Sequence, residues 1–415
     1  MREMNLLLYS AYYEPEVAAS LYLSTNLYED FAASGMNVRL YVPLPTRGVS
    51  DDVRNQYKGK IEKKENGRLE IIRLNIPKEG KNSIKRAFRY LWMNLVFIYA
   101  SRKFDADAIF VQSTPPTQGT MASIIKKRKK IPFIYNLQDV FPDSLVGAGM
   151  TTENSRIYKI GRRIEDYTYR NADRIIVISN DIKNNIIKKG VPADKVVVVP
   201  NWIDSEVVHP ISKENNYLYE KYGIAKDKFT IVYAGNLGYA QNIEVIIKAA
   251  KILQDNKDIQ FVVFGKGAQE EEYKQQALGL SNITFFPIQP YSEVSYVYSL
   301  GHASIVPCKK GFGGSAMPSK TWSIMASGTP VLASFDSETD LEKLIEGEQI
   351  GLFSPADDVD GLVNNILALF HKRELCEKMG MSAREYVQKN LSRERCTQLY
   401  IDVIRQAVAD RKGLK

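Results

Sequence analysis

Apolar runs of strand length recur along this chain, many of them closing in a loop of glycine, proline or polar residues, and after one long break the series starts again. Asn5 to Tyr9 is the first such run, a helix from about Ala18 to Ser34 closes on Gly35, and Val38 to Val42 follows, giving an opening β-α-β unit. Leu69–Leu74, Ala108–Gln112, Pro132–Asn136, Arg174–Ser179 and Val196–Asn201 continue the series, with Asp51–Glu65 set aside as a charged surface excursion. From Asn201-Trp202-Ile203-Asp204 to Phe229 no period holds, and then Phe229–Ala234, Gln260–Phe264, Ile283–Phe286 and His302–Val306 restart it. Strands that alternate with helices imply parallel sheets covered on both faces. The expected architecture is therefore α/β: two facing Rossmann-like, doubly wound parallel-sheet domains with a cleft between them. The first spans residues 1–204 and the second 205–391, with closing helices at Asp360–Phe370 and about 392–409, the last of which can return to the first domain. The length of 415 residues suits two domains of ordinary size.

Several classes of function are disfavoured. No G-x-G-x-x-G follows the first strand, against a dinucleotide-dependent dehydrogenase. The cysteines, Cys308, Cys376 and Cys396, are far apart and no histidine neighbours another, so neither a disulfide framework nor a metal cluster is expected, and a reducing cytoplasm is the natural compartment. Asn5–Tyr9 is too short for a signal-peptide core, and Tyr90–Ala100, the longest apolar run, falls short of the roughly 20 residues of a membrane span. A net charge of +8 calls for an anionic partner, but no nucleic-acid recognition motif accompanies it.

Gly311 to Ser334 reads as loop, helix and strand. Gly311, Gly313 and Gly314 allow a close approach to a ligand, Pro318 suits a first helical turn, and Gly328 ends the helix before Thr329-Pro330-Val331-Leu332. The helix start beside Ser319 and Lys320 is a place for an anion, phosphate first; an ordinary connection is the alternative. In the first half, Ser113-Thr114 and Gln138-Asp139 with Asp143 end strands at the edge where open parallel sheets bind ligands. An N-cap role is the alternative for Asp143. Tyr12, Tyr13, Glu14 and Glu16 follow the first strand, as grips for a hydroxyl-rich ligand or as solvated loop residues. Lys81, Lys85, Arg86 and Arg89 precede the Tyr90–Ala100 run, Arg102 and Lys103 follow it, and Lys126–Lys130 is a second basic cluster. A helix lying in the headgroup region of an anionic membrane has that pattern, and a buried core helix with solvated lysines is the alternative.

Three segments together resemble the family 4 glycosyltransferases of the GT-B fold, in particular a bacterial subgroup making O-antigen or capsule chains. They are Tyr233-Ala234-Gly235-Asn236-Leu237-Gly238-Tyr239-Ala240-Gln241, Pro318-Ser319-Lys320 with Ile324 to Ser334, and Asn136 to Ser144. The likeness covers nearly the whole chain. It implies transfer of a sugar from a nucleoside diphosphate donor, UDP above all, with retention and without a metal or other cofactor. It places Gly235, Asn236, Leu237, Gly238, Ser315, Met317, Pro318, Ser319 and Lys320 around the donor, with Lys266 as a further charge and Ile288-Gln289-Pro290 at the base. The acceptor falls to the first domain, near Glu14, Glu16, Ser113, Thr114 and Asp143, with Gln138 and Asp139 at the reacting sugar. Two departures stand out. Ser315 and Ser323 occupy the positions of a usual glutamate pair, and Asn236 that of a usual arginine. Serine still hydrogen-bonds a hydroxyl.

The reading that follows is a retaining glycosyltransferase, a hexosyl- or N-acetylhexosaminyltransferase in surface polysaccharide synthesis. Its expected acceptor is a polyprenyl-diphosphate-linked saccharide, and its expected place is the inner face of the cytoplasmic membrane, held by Lys85–Lys103 and Lys126–Lys130. The missing glutamates motivate the alternative of a catalytically silent sugar-nucleotide-binding subunit in a membrane assembly complex.

Overall fold

The computed structural model describes residues 3–16, 21–80, 82–147, 149–315 and 317–413, with the backbone alone for Ser83, Ile84 and Ser315. Two compact units emerge. The first comprises Met1–Ser144, Thr151–Pro200 and Glu394–Lys415, and the second Leu145–Met150 and Asn201–Arg393.

The first unit is built on eight strands, β1 (Asn5–Tyr9), β2 (Asn37–Pro43), β3 (Ile61–Lys64), β4 (Leu69–Leu74), β5 (Ala108–Gln112), β6 (Phe133–Leu137), β7 (Arg174–Val177) and β8 (Val196–Val198). Their order is β3-β4-β2-β1-β5-β6-β7-β8, parallel except for β3 against β4. Central strands covered on both faces have no polar side to show, so Leu6, Leu7, Leu8 and Tyr9 are all buried, as is every residue of β6. The chain order turns at β1, which lies between β2 and β5. The helices Thr117–Lys129 and Arg156–Asn171 meet at Gly119, where a Cβ would fall 2.2 Å from Thr168 Cγ2. The last helix, Arg393–Gly413, lies on this unit: Tyr400 packs edge-on to Phe110 and donates from its hydroxyl to Asn136 Oδ1 at 3.3 Å.

The second unit has six parallel strands, β9 (Phe229–Asn236), β10 (Ile259–Lys266), β11 (Ile283–Pro287), β12 (Ala303–Pro307), β13 (Val331–Phe335) and β14 (Gly351–Pro355), in the order β11-β10-β9-β12-β13-β14. This is the order of a dinucleotide-binding domain, with its reversal between β9 and β12. Core side chains fill both faces of the sheet. Arg384 ties the entering segment down, donating to the carbonyls of Ser205, Val208 and Ala326.

Some elements depart from expectation. Within Asp51–Glu65 lie a short helix, Asp51–Gln56, capped by Ser50, and the edge strand β3. An edge strand needs one partner and tolerates charge, so Ile61-Glu62-Lys63-Lys64 carries no strong alternation. β14 and the helices Asp340–Gly347 and Arg373–Asn390 were not expected either. Only the non-helical Lys372 separates Arg373–Asn390 from Val359–His371, with no glycine or proline to mark the break. The first helix is described from Leu21 to Ala33, and residues 17–20 lie outside the described residues.

Candidate functional site

In the second unit a site forms where the sheet order reverses. β9 leaves the sheet through Gly235, whose φ of +148° favours glycine. Its loop folds tightly onto the end of β10: Leu237 donates its N–H to the Lys266 carbonyl at 3.0 Å, and a Cβ on Gly267 would fall 2.3 Å from the Leu237 carbonyl oxygen. Gly235, Leu237, Gly238 and Lys266 are thereby one structure. Asn236 pairs in register with Lys266, donates to Gln241 Oε1 at 3.3 Å, and accepts from the Tyr233 hydroxyl at 2.6 Å through its carbonyl.

Lys320 opens the helix Lys320–Ala326 and turns its side chain back into this loop. Its Nζ is buried without a hydrogen-bond partner, 4.0 Å from the centre of the Tyr233 ring, and 2.8 Å from where a Gly235 Cβ would stand. Burial pushes its pKa down to about 7. Cys308 is near, but burial pushes that thiol up to about 12, so it supplies no counter-charge at neutral pH. An amine is thus held on an aromatic face with no hydrogen-bond partner, and the oxygens of an anion would complete that arrangement.

The glycine loop behaves otherwise than expected. The N–H groups of Gly311 and Gly313 are taken by the Asp336 carboxylate, at 2.9 and 2.8 Å, and a Cβ at Gly313 would fall 2.6 Å from the Phe335 ring. These glycines let the loop close on β13 and its exit; they do not offer their N–H groups to a ligand. The helix at Lys320 is seven residues long, so its dipole is slight and the Lys320 ammonium is the main charge. Its first bonds, from Thr321 N–H to the Pro318 carbonyl and from Trp322 N–H to that of Ser319, leave the N–H groups of Ser319 and Lys320 ahead of the ladder. Met317 packs on the core, Pro318 is half-buried, Ser319 is exposed, and Ser323 is buried. Ile288 and Pro290 are exposed beyond β11, the outer strand, and Gln289 donates to the Pro287 carbonyl.

Sequence reasoning missed Tyr233 and Lys309. The Lys309 amine sits 3.5 Å over the Tyr239 ring, and its N–H binds the Ala240 carbonyl, so the β12 exit is stitched to the β9 loop. The paired lysines directly after an apolar strand were the available signal.

In the first unit the expected acceptor residues divide. Thr114 is exposed after β5, and Asp139 is exposed after β6. The protein around Asp139 raises its carboxyl pKa, and hydrogen bonds from Ser144 and the Val140 N–H offset this in part. Gln138 faces inward, donating to Asn136 Oδ1 at 2.9 Å, while its N–H binds the buried Ser113 hydroxyl. Glu14 is exposed, 3.4 Å from the Lys64 amine. Two residues prove committed elsewhere. Glu16 is buried and accepts N–H groups from Tyr13, Thr46 and Arg47, locking two loops together. Asp143 accepts from the Tyr158 hydroxyl and pairs with Lys189 at 2.8 Å, and Lys189 also pairs with Glu165. Their charges were legible; their partners, 30 or more residues away in sequence for Glu16 with Thr46 and Arg47, and for Asp143 with Lys189, were not.

The helix Ser83–Ala100 turns Phe88 (68% exposed), Leu91, Trp92, Leu95 and Tyr99 outward, at spacings that place them on one face, while Met93 and Phe97 are buried. Lys85, Arg102 and Lys103 are exposed at its ends, and Lys129 binds the Phe104 carbonyl nearby. Among the described residues no helix is long and apolar enough to cross a membrane.

Two family models match the chain in tandem: "Glycosyl transferase 4-like domain" over residues 23–202 and "Glycosyl transferases group 1" over residues 216–386. The protein named colanic acid biosynthesis glycosyl transferase WcaI, of Escherichia coli (strain K12), is 27% identical, over 97% of this chain and all of that one. The glycosyltransferase named WbjE, of Pseudomonas aeruginosa, is 24% identical over 81% of this chain and 84% of its own. Among solved structures, sucrose-phosphate synthase from Thermosynechococcus elongatus superposes with a TM-score of 0.76 at 18% identity, covering 98% of this chain and all of that one. Anabaena HepE in complex with UDP and glucose does so at 0.70 and 12% identity, covering 97% and 100%.

Proposed function

The chain belongs to the GT-B glycosyltransferases of polysaccharide biosynthesis, and from that premise we propose that it moves a sugar from a UDP-sugar onto a lipid-linked saccharide with retention of configuration. The observation that carries the donor half is the Lys320 amine, buried and unpartnered at the sheet reversal of the second unit. As the glycosidic bond breaks, negative charge grows on the departing diphosphate. A fixed ammonium and the N–H groups of Ser319 and Lys320 stabilise that charge, each such donor contributing about 3 kcal/mol. The reaction then needs no metal. HepE, alike in fold, holds UDP and glucose, which favours UDP as the leaving group. Retention rests on the likeness to family 4. Gly235 and Gly238 hold the loop beside the diphosphate, Ile288 to Pro290 take the base, and Ser323 takes a hydroxyl of the ribose or sugar. Asp139, exposed beyond the end of β6, is assigned to the reacting sugar, and Thr114, exposed beyond β5, to the acceptor.

The acceptor is proposed to be a polyprenyl-diphosphate-linked sugar at the inner face of the cytoplasmic membrane. What supports this is the outward face of the Ser83–Ala100 helix, five large apolar side chains between exposed basic residues. Each half-exposed apolar side chain gains about 1 kcal/mol on entering lipid, and each Lys or Arg about as much near an anionic surface. Flotation with anionic vesicles tests it: the native protein should rise with the lipid and Trp92→Glu/Leu95→Glu should stay below. A native protein that remained soluble would remove this part of the reading. Transfer itself is tested by release of UDP from a panel of UDP-sugars with lipid-linked acceptors in EDTA, and by the anomeric configuration of the product by NMR. UDP bound but never released from any donor, by hydrolysis or by transfer, would refute it.

A further inference from the structure

The first unit holds a cluster of cations that the donor site does not use, and one of them, Arg89, has buried donors without acceptors. We propose that Arg89, with Arg47, Arg54 and Arg86, forms an anion site that takes the phosphate or diphosphate of a ligand of the first unit. Arg47 lies on the loop that leaves β2, Arg54 on the short helix Asp51–Gln56 after it, and Arg86 and Arg89 on the first turns of the Ser83–Ala100 helix, which follows β4.

Arg89 is 4% exposed, and its Nε–H binds the Pro77 carbonyl at 2.8 Å. Its Nη1 and Nη2 are buried with no acceptor. Arg54, also buried, spends its guanidinium on three neutral carbonyls, those of Leu44, Pro45 and Ile76, at 2.7–2.8 Å. Burial and the nearby Arg89 charge lower its pKa. Two carboxylates face these cations. Glu79 accepts two bonds from Arg47, at 3.0 Å each, and has Arg86 at 3.8 Å, while Arg47 also donates to the Tyr12 hydroxyl at 2.6 Å. Glu16, whose oxygens bind backbone N–H groups, is the acidic neighbour of Arg54. Four guanidiniums against two carboxylates leave an excess of two positive charges.

A guanidinium does not shed its proton to escape burial, so donors left without acceptors are a standing cost that an anion would remove. An oxyanion with several acceptor oxygens matches that fork, and phosphate is the commonest. The two outer cations are the ones an anion meets first. The side chains of Arg47 and Arg86 are 41% and 40% exposed and lie over Glu79, at 9%, so they can turn from that carboxylate toward an incoming anion. The helix that supplies Arg86 and Arg89 also carries the outward apolar face, so one ligand with a phosphate head and a hydrocarbon tail could engage both.

This last step, and it alone, rests on the lipid-linked acceptor proposed above. Titration calorimetry on the full chain in a Lys320→Ala background, where the donor site is disabled, separates the cases. Inorganic pyrophosphate and farnesyl diphosphate are the probes, with farnesol as control. Farnesyl diphosphate should bind, and Arg89→Gln should weaken it at least tenfold without lowering the melting temperature, with Arg89→Lys in between. Should Arg89→Gln fail to fold, Arg47→Ala/Arg86→Ala carries the same test with an expected loss of threefold or more. Equal binding with and without Arg89, or no binding of either diphosphate, overturns the site. Pyrophosphate as tight as farnesyl diphosphate, both lost in Arg89→Gln, upholds the site and sinks the lipid source. On an otherwise native chain, UDP affinity should be unchanged by Arg89→Gln, and an equal loss there would overturn a separate site.

Discussion

The two units each bury a basic side chain with unused donors at the carboxyl edge of a sheet, and they do so with different chemistry. In the second unit it is an amine on the Tyr233 face, with a thiol that burial keeps neutral, Cys308, close by. In the first it is a guanidinium among other guanidiniums, which share Glu79. An amine relieves burial by losing its proton, and burial draws the Lys320 pKa down to about 7. A guanidinium lacks that exit and is held by multiple fixed hydrogen bonds, as Arg54 is by three carbonyls. Hence the first site should stay charged at any working pH, whereas the second should become charged as its anion enters.

Removing the amine breaks the comparison most severely. Lys320→Ala should lower kcat/KM about 100-fold, the order reported for loss of one preorganised donor, while far-UV circular dichroism stays native. Activity near the native level would mean that this cation does not meet the leaving group. Next comes pH. Lys320 is protonated below about pH 7 in the folded protein and below about 10.4 in the unfolded chain. The unfolded state therefore binds more protons between those values, and the unliganded fold should gain stability as pH rises from 7 toward 10. UDP affinity should move the opposite way, falling up to about tenfold per pH unit above 7, with proton uptake visible in buffers of different ionisation enthalpy. Pyrophosphate affinity in the Lys320→Ala chain, left to the arginines, should not fall from pH 7 to 9, because the arginines keep their charge while the anion gains it. Parallel slopes at the two sites would erase the distinction.

Much of this was legible in the sequence, and the limit has a physical reason. Buried parallel strands such as β1 and β6 announce themselves as unbroken apolar runs, and the restart at Phe229 marks the second unit. Gly235 and Lys320, 85 positions apart, could be paired only through the family likeness, since sheet order and not spacing brings them together. For Glu16, Asp143 and the loop glycines the sequence left a binding and a structural role open: a carboxylate or a bare N–H reads as a binding group until its partner is seen, and here the partners are Arg47, Lys189 and Asp336. Arg89 was legible as charge and not as an unsatisfied donor, because satisfaction depends on the fold of the loops around it.

The smallest expected effect concerns Glu79, the carboxylate that the second unit's site lacks. Its pKa is lowered, because pairing with Arg47 and a hydrogen bond from Tyr12 outweigh burial. Such a carboxylate contributes stability at neutral pH that is lost as pH falls through its folded pKa, so Glu79→Gln should melt a few degrees lower at pH 7 and match the native protein more nearly at pH 4. The same change leaves Arg47 and Arg86 without their shared anion. If Glu79 is the internal occupant that an incoming phosphate must displace, pyrophosphate in the Lys320→Ala background should bind about threefold tighter to Glu79→Gln, despite the lower melting point. If the arginines are instead structural ties to Glu79 with no ligand of their own, loosening them gives weaker binding or none, and the first unit's cations would then serve the fold alone.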